Sequence, residues 1–387
     1  MHKVLACTLS LFALAVSASA SNRPVTELAG LNGTDNQSGS GFGNVAISQD
    51  GNTVAVGAAQ GDGTAGEIYV YQKPSAGWVY MNQTARLMPT DQCLLGGALA
   101  ISADGGTIAS FAGNCAGGGF TGIGSIEVFI RPAAGWQDTT HPDATLALIN
   151  TGAYNNLGLY LGMSADGKTI VSTGYFAYPK KSYLFVFDQA SGGWTNMGPS
   201  NSVLLSNLAV GPEAVAINGE TIAVTDQPNK AVLVFQRSTG GIQKIATLTA
   251  SDGDRFSIAL AMDSQSIIAD GYASDNKTGK VYLFSKPASG WANATETAQF
   301  PAPDDITFLF GIAIAKSGKE LLLGGEDNSA AFLYVEPAGG WQTTFQPKFA
   351  FHPEFNQGNF GDSVAMTGAT VVVGNETAGT ADLFTLQ

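Results

Sequence analysis

Three aromatic side chains stand close together in the segment Tyr175-Phe176-Ala177-Tyr178-Pro179-Lys180-Lys181. Exposed aromatic rings reduce solubility unless they pack against other groups or bind a ligand. Phe120 and Tyr154 are expected in neighbouring loops, and two asparagines follow Tyr154. Aromatic rings beside amides can hold a sugar or a peptide. The predicted ligand-binding residues are therefore Tyr175, Phe176, Tyr178, Phe120 and Tyr154. A local hydrophobic cluster under long loops is the alternative interpretation.

Many of the 31 acidic residues fall in predicted loops. Converging carboxylates could bind a metal ion, attract a cationic partner or act as paired acids in glycoside hydrolysis. No two of them show the spacing of metal ligands. We therefore expect solvated loop residues, and predict no metal site and no cofactor.

The sequence contains no H-E-x-x-H, G-x-S-x-G or phosphate-loop spacing. His141 and His352 each precede a proline, which favours loop residues over general bases. These features favour a protein without enzymatic activity. Glycoside hydrolysis stays open as an alternative, because its two carboxylates can come from distant loops.

A four-residue motif, in which the second residue is always Ala or Gly, recurs seven times. Its copies are Val45–Ser48, Leu99–Ser102, Leu161–Ser164, Val215–Asn218, Leu260–Asp263, Ile312–Ala315 and Val364–Thr367. A period near fifty residues with several short strands per unit is typical of a β-propeller. We predict an all-β fold, a seven-bladed β-propeller of four-stranded antiparallel blades. The small residue fits the strand nearest the axis, where a bulky side chain would overpack.

The two ends of the chain are predicted to share the last blade. The seventh unit supplies three strands from Phe360 onward, and Val25–Leu31 resembles the fourth strand of the other units. Pairing these segments would close the ring and remove an open sheet edge. Residues 21–387 are therefore expected to form a single domain.

Every tryptophan follows a glycine at the same point of the repeat, between the third and fourth strands. The pairs are Gly77-Trp78, Gly135-Trp136, Gly193-Trp194, Gly290-Trp291 and Gly340-Trp341, and the fourth unit has Gly241-Ile242 instead. An indole can stack on a sugar, or it can pack between adjacent blades. One architectural position explains all five, so we predict packing.

The first unit reads GFGNVAISQDGNTVAVGAAQGDGTAGEIYVY, with Phe42-Gly43 at its start and Gly57-Ala58-Ala59 further on. It resembles the FG-GAP repeat of integrin-α-like propellers, and Phe360-Gly361 repeats the opening. The resemblance implies the propeller fold and leaves the function open, since one fold hosts many functions. Integrin-like repeats often carry a calcium loop between the first two strands. Here those connections are too short to supply the six to eight oxygens that calcium needs.

The first twenty residues have the pattern of a secretory signal peptide. His2 and Lys3 precede an apolar run from Val4 to Val16, and Ala18-Ser19-Ala20 fits a cleavage site. The run is too short to cross a bilayer. We therefore predict a secreted, extracellular protein whose signal peptide is residues 1–20.

Two cysteines remain after the signal peptide, Cys93 and Cys115. The predicted fold puts them in loops on the same face of one blade, and an oxidising compartment favours their disulfide. Six N-glycosylation sequons matter if the source glycosylates its exported proteins. They begin at Asn32, Asn36, Asn82, Asn276, Asn293 and Asn375.

The formal net charge of −13 argues against nucleic acid and anionic membrane surfaces as partners. We expect a monomer without membrane insertion. The leading hypothesis is a secreted binding propeller that recognises an extracellular glycan or protein through its loops. A carbohydrate-active enzyme and a structural wall or matrix protein are the alternatives.

Overall fold

In the computed structural model, the backbone of most of the chain forms a ring of seven sheets. The residues described are 25–33, 42–58, 65–89, 93–113, 124–148, 157–176, 181–206, 214–272, 279–301, 313–325, 330–344, 346–352, 359–375 and 380–386. The signal peptide predicted for residues 1–20 lies outside them. Within this part of the chain the regular elements are strands, and no helix is long and apolar enough to span a membrane.

Each sheet is one blade of four antiparallel strands, which confirms the predicted seven-bladed β-propeller. Blade one has β2 (Phe42–Ile47), β3 (Thr53–Ala58), β4 (Glu67–Gln72) and β6 (Ala85–Leu87). Blade two has β7 (Leu94–Ile101), β8 (Thr107–Gly113), β9 (Gly124–Ile130) and β10 (Ala144–Leu146). Blade three has β11 (Leu161–Met163), β12 (Thr169–Phe176), β13 (Lys181–Asp188) and β14 (Asn201–Ser206). Blade four has β15 (Val215–Asn218), β16 (Thr221–Asp226), β17 (Ala231–Ser238) and β18 (Gly241–Thr249).

The remaining blades follow the same order. Blade five has β19 (Arg255–Met262), β20 (Ser266–Tyr272), β21 (Gly279–Ser285) and β23 (Ala298–Pro301). Blade six has β24 (Ala313–Ser317), β25 (Glu320–Gly325), β26 (Ala330–Val335) and β27 (Phe349–Phe351). Blade seven has β28 (Phe360–Thr367), β29 (Thr370–Asn375), β30 (Thr380–Leu386) and β1 (Val25–Asn32). Two short strands, β5 (Met81–Asn82) and β22 (Ala294–Thr295), add to blades seven and four.

The ring closes as the sequence predicts. Strand β1 runs antiparallel to β30, with Val25 opposite Leu386 and Asn32 opposite Thr380. Strand β1 therefore completes blade seven and covers the edge that β30 would otherwise expose.

The small second residue of the motif lies where the innermost strands of neighbouring blades converge. A Cβ placed on Gly162 would lie 3.3 Å from Cγ2 of Val171 and 3.4 Å from Cγ2 of Ile217. One methyl group nearly fills this space, so larger side chains would force the strands apart. The predicted reason for Ala or Gly is therefore supported.

In blades one, two and three the innermost strand is followed by a turn with the sequence S-x-D-G-x-T, at residues 48–53, 102–107 and 164–169. Side-chain hydrogen bonds within the turn stabilise it. Ser102 donates its hydroxyl to Asp104 over 2.7 Å and accepts the Thr107 N–H over 2.9 Å. The hydrogen bond from Ser102 is the largest influence on the Asp104 carboxyl and lowers its pKa. These aspartates act as turn formers, a part that short polar side chains often take.

The core consists of apolar clusters between adjacent blades, and the tryptophans belong to them. Trp78, Trp136 and Trp194 are buried, and Trp291 and Trp341 pack against the clusters of their blades. The indole N–H of Trp136 donates to the carbonyl of Gly105 over 3.2 Å. The indoles are inter-blade packing groups, which confirms the prediction.

The residue two positions after each of four tryptophans ties its blade to the outer strand of the preceding blade. Its side-chain oxygen accepts a backbone N–H of that strand, and we call this contact the latch. The pairs are Arg86 with Asp138 (2.8 Å), Thr145 with Asn196 (2.8 Å), Thr247 with Asn293 (2.8 Å) and Gln299 with Thr343 (3.1 Å). In three of these latches the next residue continues the contact by pairing parallel to the same strand, Thr139 with Leu87, Met197 with Leu146 and Ala294 with Leu248.

Candidate functional site

The innermost strands depart from regular pairing at one face of the ring, which we call the top face. In β19, Phe256 pairs with Gly271 but Leu260 pairs with Ala269, so three residues of β19 oppose one residue of β20. Strands β7 and β28 have a bulge of the same size. Bulges redirect side chains, and they often occur near binding sites.

A cavity of about 330 Å³ opens at this face, at the mouth of the central channel. Its walls are the bulges and the strand starts of six blades. Its lining includes Asn44, Tyr160, Ala259, Asp362 and Ser363. This volume lies within the range of about 300 to 1,000 Å³ that is common for small-molecule sites.

Polar groups enter this cavity from three blades. Ser363 accepts the Val45 N–H over 2.9 Å, which joins blade seven to blade one. Asn44 and Asp362 supply an amide and a carboxyl beside it. Tyr160 adds a phenol from blade three, and burial, with a smaller contribution from the charge of Asp270, raises its pKa to about 12. The phenol therefore stays protonated at neutral pH and can donate a hydrogen bond.

Asp270 lies behind the wall of the cavity and holds the bulge of blade five in place. Its carboxylate accepts the Ala259 N–H over 2.8 Å, and the side chain is only 3% exposed. Burial raises the pKa of Asp270 to about 7, against the lowering effect of the hydrogen bonds from Ala259 and Ser257. The carboxyl therefore changes its charge near neutral pH, directly behind a wall that a ligand would touch.

A second cavity, of about 310 Å³, lies at the other end of the channel. The third residue of the recurrent motif contributes a ring of apolar side chains to it: Ile47, Ile101, Met163, Ile217, Met262 and Met366. This end also carries polar side chains, at Gln49, Asn218, Asp263, Ser317 and Thr367. We take the top cavity as the candidate site because the bulges lie at its face, and bulges often occur near binding sites.

The predicted aromatic site is described only in part. Phe176 packs edge-on against Tyr183 and Phe185, with ring centroids 5.7 and 6.2 Å apart. Its ring belongs to the cluster between blades two and three, as the alternative interpretation expected. Tyr175 is half-buried at the end of β12, and neither residue lines the top cavity. Tyr178, Phe120 and Tyr154 lie outside the described residues, so the prediction for them stays a prediction.

The predicted modification sites fall at different depths. Cys93 is buried at 2% exposure just before β7, and Cys115 lies outside the described residues, so their disulfide stays a prediction. Asn375 is 3% exposed within β29 and is poorly placed to carry a glycan. Asn32, Asn82 and Asn293 are exposed, and Asn36 and Asn276 are outside the described part of the chain.

Metal ligands do not converge in the part of the chain that the structure describes. No three histidine, cysteine, aspartate or glutamate side chains there could hold a metal ion together. The described lining of the top cavity presents hydrogen-bonding groups and apolar side chains.

Sequence reasoning missed the top cavity, although one signal was present. At the position of Asp270 five other blades carry an uncharged residue: Gly57, Phe111, Thr173, Thr225 and Gly374. By sequence count blade six has Glu326 there, outside the described residues, so a carboxylate at this position distinguishes blades five and six. The remaining lining residues give no such signal, because the bulges that expose them depend on tertiary packing.

Comparisons with known proteins support the fold and leave the family open. Neither a protein-family model nor a curated protein sequence matches the chain, so membership of the FG-GAP family is not confirmed. Among solved structures, the WD40 domain of Toxoplasma gondii coronin is similar, with a TM-score of 0.55 and 11% identity over 94% of this chain and 86% of that chain. At such low identity the likeness shows the propeller fold alone.

Two further structures illustrate how varied the similar proteins are. Chaetomium thermophilum Sqt1 has a TM-score of 0.49 and 15% identity over 93% of this chain and 97% of that chain. Prolyl oligopeptidase B from Galerina marginata has a TM-score of 0.47 and 13% identity over 81% of this chain and 43% of that chain. Neither likeness carries a functional argument, since one fold hosts many functions.

Proposed function

We propose that this protein is a secreted binding propeller that recognises an extracellular glycan or protein at its top face. The observation that carries the proposal is the top cavity, whose apolar walls carry a few convergent polar groups. Tyr160, Asn44 and Asp362 offer a donor, an amide and a carboxyl to one occupant. This combination suits a hydroxyl-rich group such as the terminal sugar of a glycan.

A carbohydrate-active enzyme that uses paired carboxyls is the second candidate. Asp270 supports it, because an acid with a pKa near 7 could donate a proton at neutral pH. Its burial argues against it, since a catalytic acid must come within hydrogen-bond reach of the leaving group. We therefore favour binding over turnover.

A glycan array probed with the mature protein tests the proposal. We expect a specific hit that Asp362→Asn or Tyr160→Phe weakens, while Met163→Leu at the opposite cavity leaves it unchanged. If Tyr175→Ala loses binding and the two cavity variants keep it, the ligand binds at the aromatic segment of residues 175–181 instead. Hydrolysis of the bound glycan by the parent protein would favour the enzyme.

A further inference from the structure

The latches leave the outer strand of blade three without a partner segment in the described chain. The latched residues Arg86, Thr145, Thr247 and Gln299 occupy equivalent positions, opposite Tyr69, Glu127, Leu233 and Tyr282. By the same register the equivalent residue of blade three is Ser202, which lies opposite Phe185. The latch for Ser202 would have to come from blade four.

Blade four cannot supply this latch from its own connection. It joins β17 to β18 by a two-residue turn, with Ser238 opposite Gly241, and lacks the Gly-Trp segment of its neighbours. It secures blade three in another way, because Arg237 forms an ion pair with Asp188 over 2.7 Å and donates to Thr169 over 3.0 Å. The ion pair stabilises the interface, but among the described residues no segment of blade four pairs with the edge of β14.

The sequence of β14 does not protect this edge. Asn201–Ser206 reads NSVLLS and contains no charged residue and no proline, the usual protection of an edge strand. Leu204 is 45% exposed. Blade six also lacks a latch in the described chain, because its neighbour's outer strand is β1, but its edge strand β27 has only three residues. The edge of β14 is therefore the stronger candidate for pairing.

We propose that β14 is the docking edge for an extended segment of a partner protein. The segment adds parallel to β14 and accepts the Ser202 N–H with an asparagine, aspartate or threonine side chain. The internal latches define this chemistry, because each is a short extended segment with such an acceptor on an equivalent strand. Strand addition to a sheet edge is a common mode of peptide recognition. The proposal does not depend on the function of the top cavity.

The protein's own latch provides a probe. A fluorescent peptide of residues 191–200 contains Asn196 and is titrated against the full mature protein, with an Asn196→Leu peptide as the control. Replacing the acceptor should weaken binding about tenfold, the value of one hydrogen bond. Hydrogen exchange should show the Ser202 amide exposed without peptide, the Thr145 amide protected, and Ser202 protected when peptide is bound.

Variants of the edge complete the test. Ser202→Pro removes an N–H that faces away from β13, a position where an edge strand tolerates proline. It should weaken peptide binding about tenfold, while Ser202→Thr keeps the N–H and binds as the parent does. If Ser202→Pro fails to fold, Leu204→Lys replaces it, because a charge on the edge opposes strand addition.

The proposal is wrong if the peptide shows no saturable binding at millimolar concentration, or if a folded edge variant binds it as the parent does. It is also wrong if the Ser202 amide is protected from exchange without peptide. A concentration-dependent dimer in sedimentation that the edge variant abolishes would overturn it too, since β14 would then pair with a second copy of the chain.

Discussion

The backbone N–H of Thr145 donates to Oδ1 of Asn196 over 2.8 Å and so ties the outer strand of blade two to blade three. The contact is continued by two backbone hydrogen bonds, Met197 N–H to the Thr145 carbonyl and Ala147 N–H to the Met197 carbonyl. The interface between blades two and three thus combines the buried Trp194 with an external hydrogen-bonded segment.

Replacing the latch residue should loosen one interface measurably. We expect Asn196→Leu to lower the free energy of unfolding by about 1 kcal/mol, because one hydrogen bond to the backbone is lost near the surface. Urea titration followed by tryptophan fluorescence measures the change. Thr195→Ala, at the exposed neighbour, is the control and should leave the midpoint unchanged. Equal midpoints for both variants would show that the latch adds no stability.

The crowding at Gly162 predicts a size limit for the innermost strands. Gly162→Ala should be tolerated, because the other six copies of the motif carry alanine and the added Cβ only approaches Val171 and Ile217. Gly162→Val should destabilise the protein by about 1–3 kcal/mol through overpacking. Thermal unfolding of the pair checks this. A valine variant as stable as the alanine variant would contradict the packing argument.

Asp270 should make stability depend on pH. Its folded pKa of about 7 lies above the ordinary aspartate value of 3.8, so the folded state holds the proton more tightly than the unfolded state. The carboxyl therefore costs no stability below pH 3.8, and an increasing amount as the pH rises from there to about 7. The cost is at most about 1.4 kcal/mol for each pH unit and is constant above pH 7.

Asp270→Asn removes this titration and keeps an oxygen for the Ala259 N–H. The two proteins are unfolded with urea at pH 4, 5.5, 7 and 8. The free energy of unfolding of the variant, relative to that of the parent, should increase up to pH 7 and stay constant above it. Asp104→Asn serves as a control, since its turn is solvent-accessible and the pKa of Asp104 is lowered instead. A constant difference between Asp270→Asn and the parent at all four pH values would exclude the buried carboxyl as the cause.

The predicted disulfide between Cys93 and Cys115 should be visible in a thiol titration. We expect no free thiol in the mature protein and two after reduction under denaturing conditions. Cys93→Ala together with Cys115→Ala should cost about 2–4 kcal/mol of stability, the usual value of a native disulfide. Two reactive thiols in the unreduced, unfolded protein would disprove the bridge.

Local pattern predicted the architecture because every blade repeats it. The turn at Asp104 and the glycine before Trp136 have local causes that the sequence displays, and the small residue at Gly162 was recognisable because the motif repeats it in every blade. The bulge opposite Asp270 has no such cause, and Asp270-Gly271 even has the composition of a hairpin turn although it lies inside β20. The contact of Asn196 with Thr145 could not be predicted, because Thr145 lies on another blade. Contacts between blades follow from the ring and cannot be read from one repeat.

The closure of the ring by β1 and β30 has a consequence for how the protein is made. Strand β1 precedes its partner β30 in the chain by the strands of all the other blades. A chain that leaves its ribosome or crosses a membrane from the amino end must keep the apolar residues Ala29 and Leu31 unpaired until β30 has followed. Such distant pairing slows folding and prolongs exposure to aggregation. Chaperone protection of this one segment would therefore matter more to the yield of native protein than protection of any single inner blade.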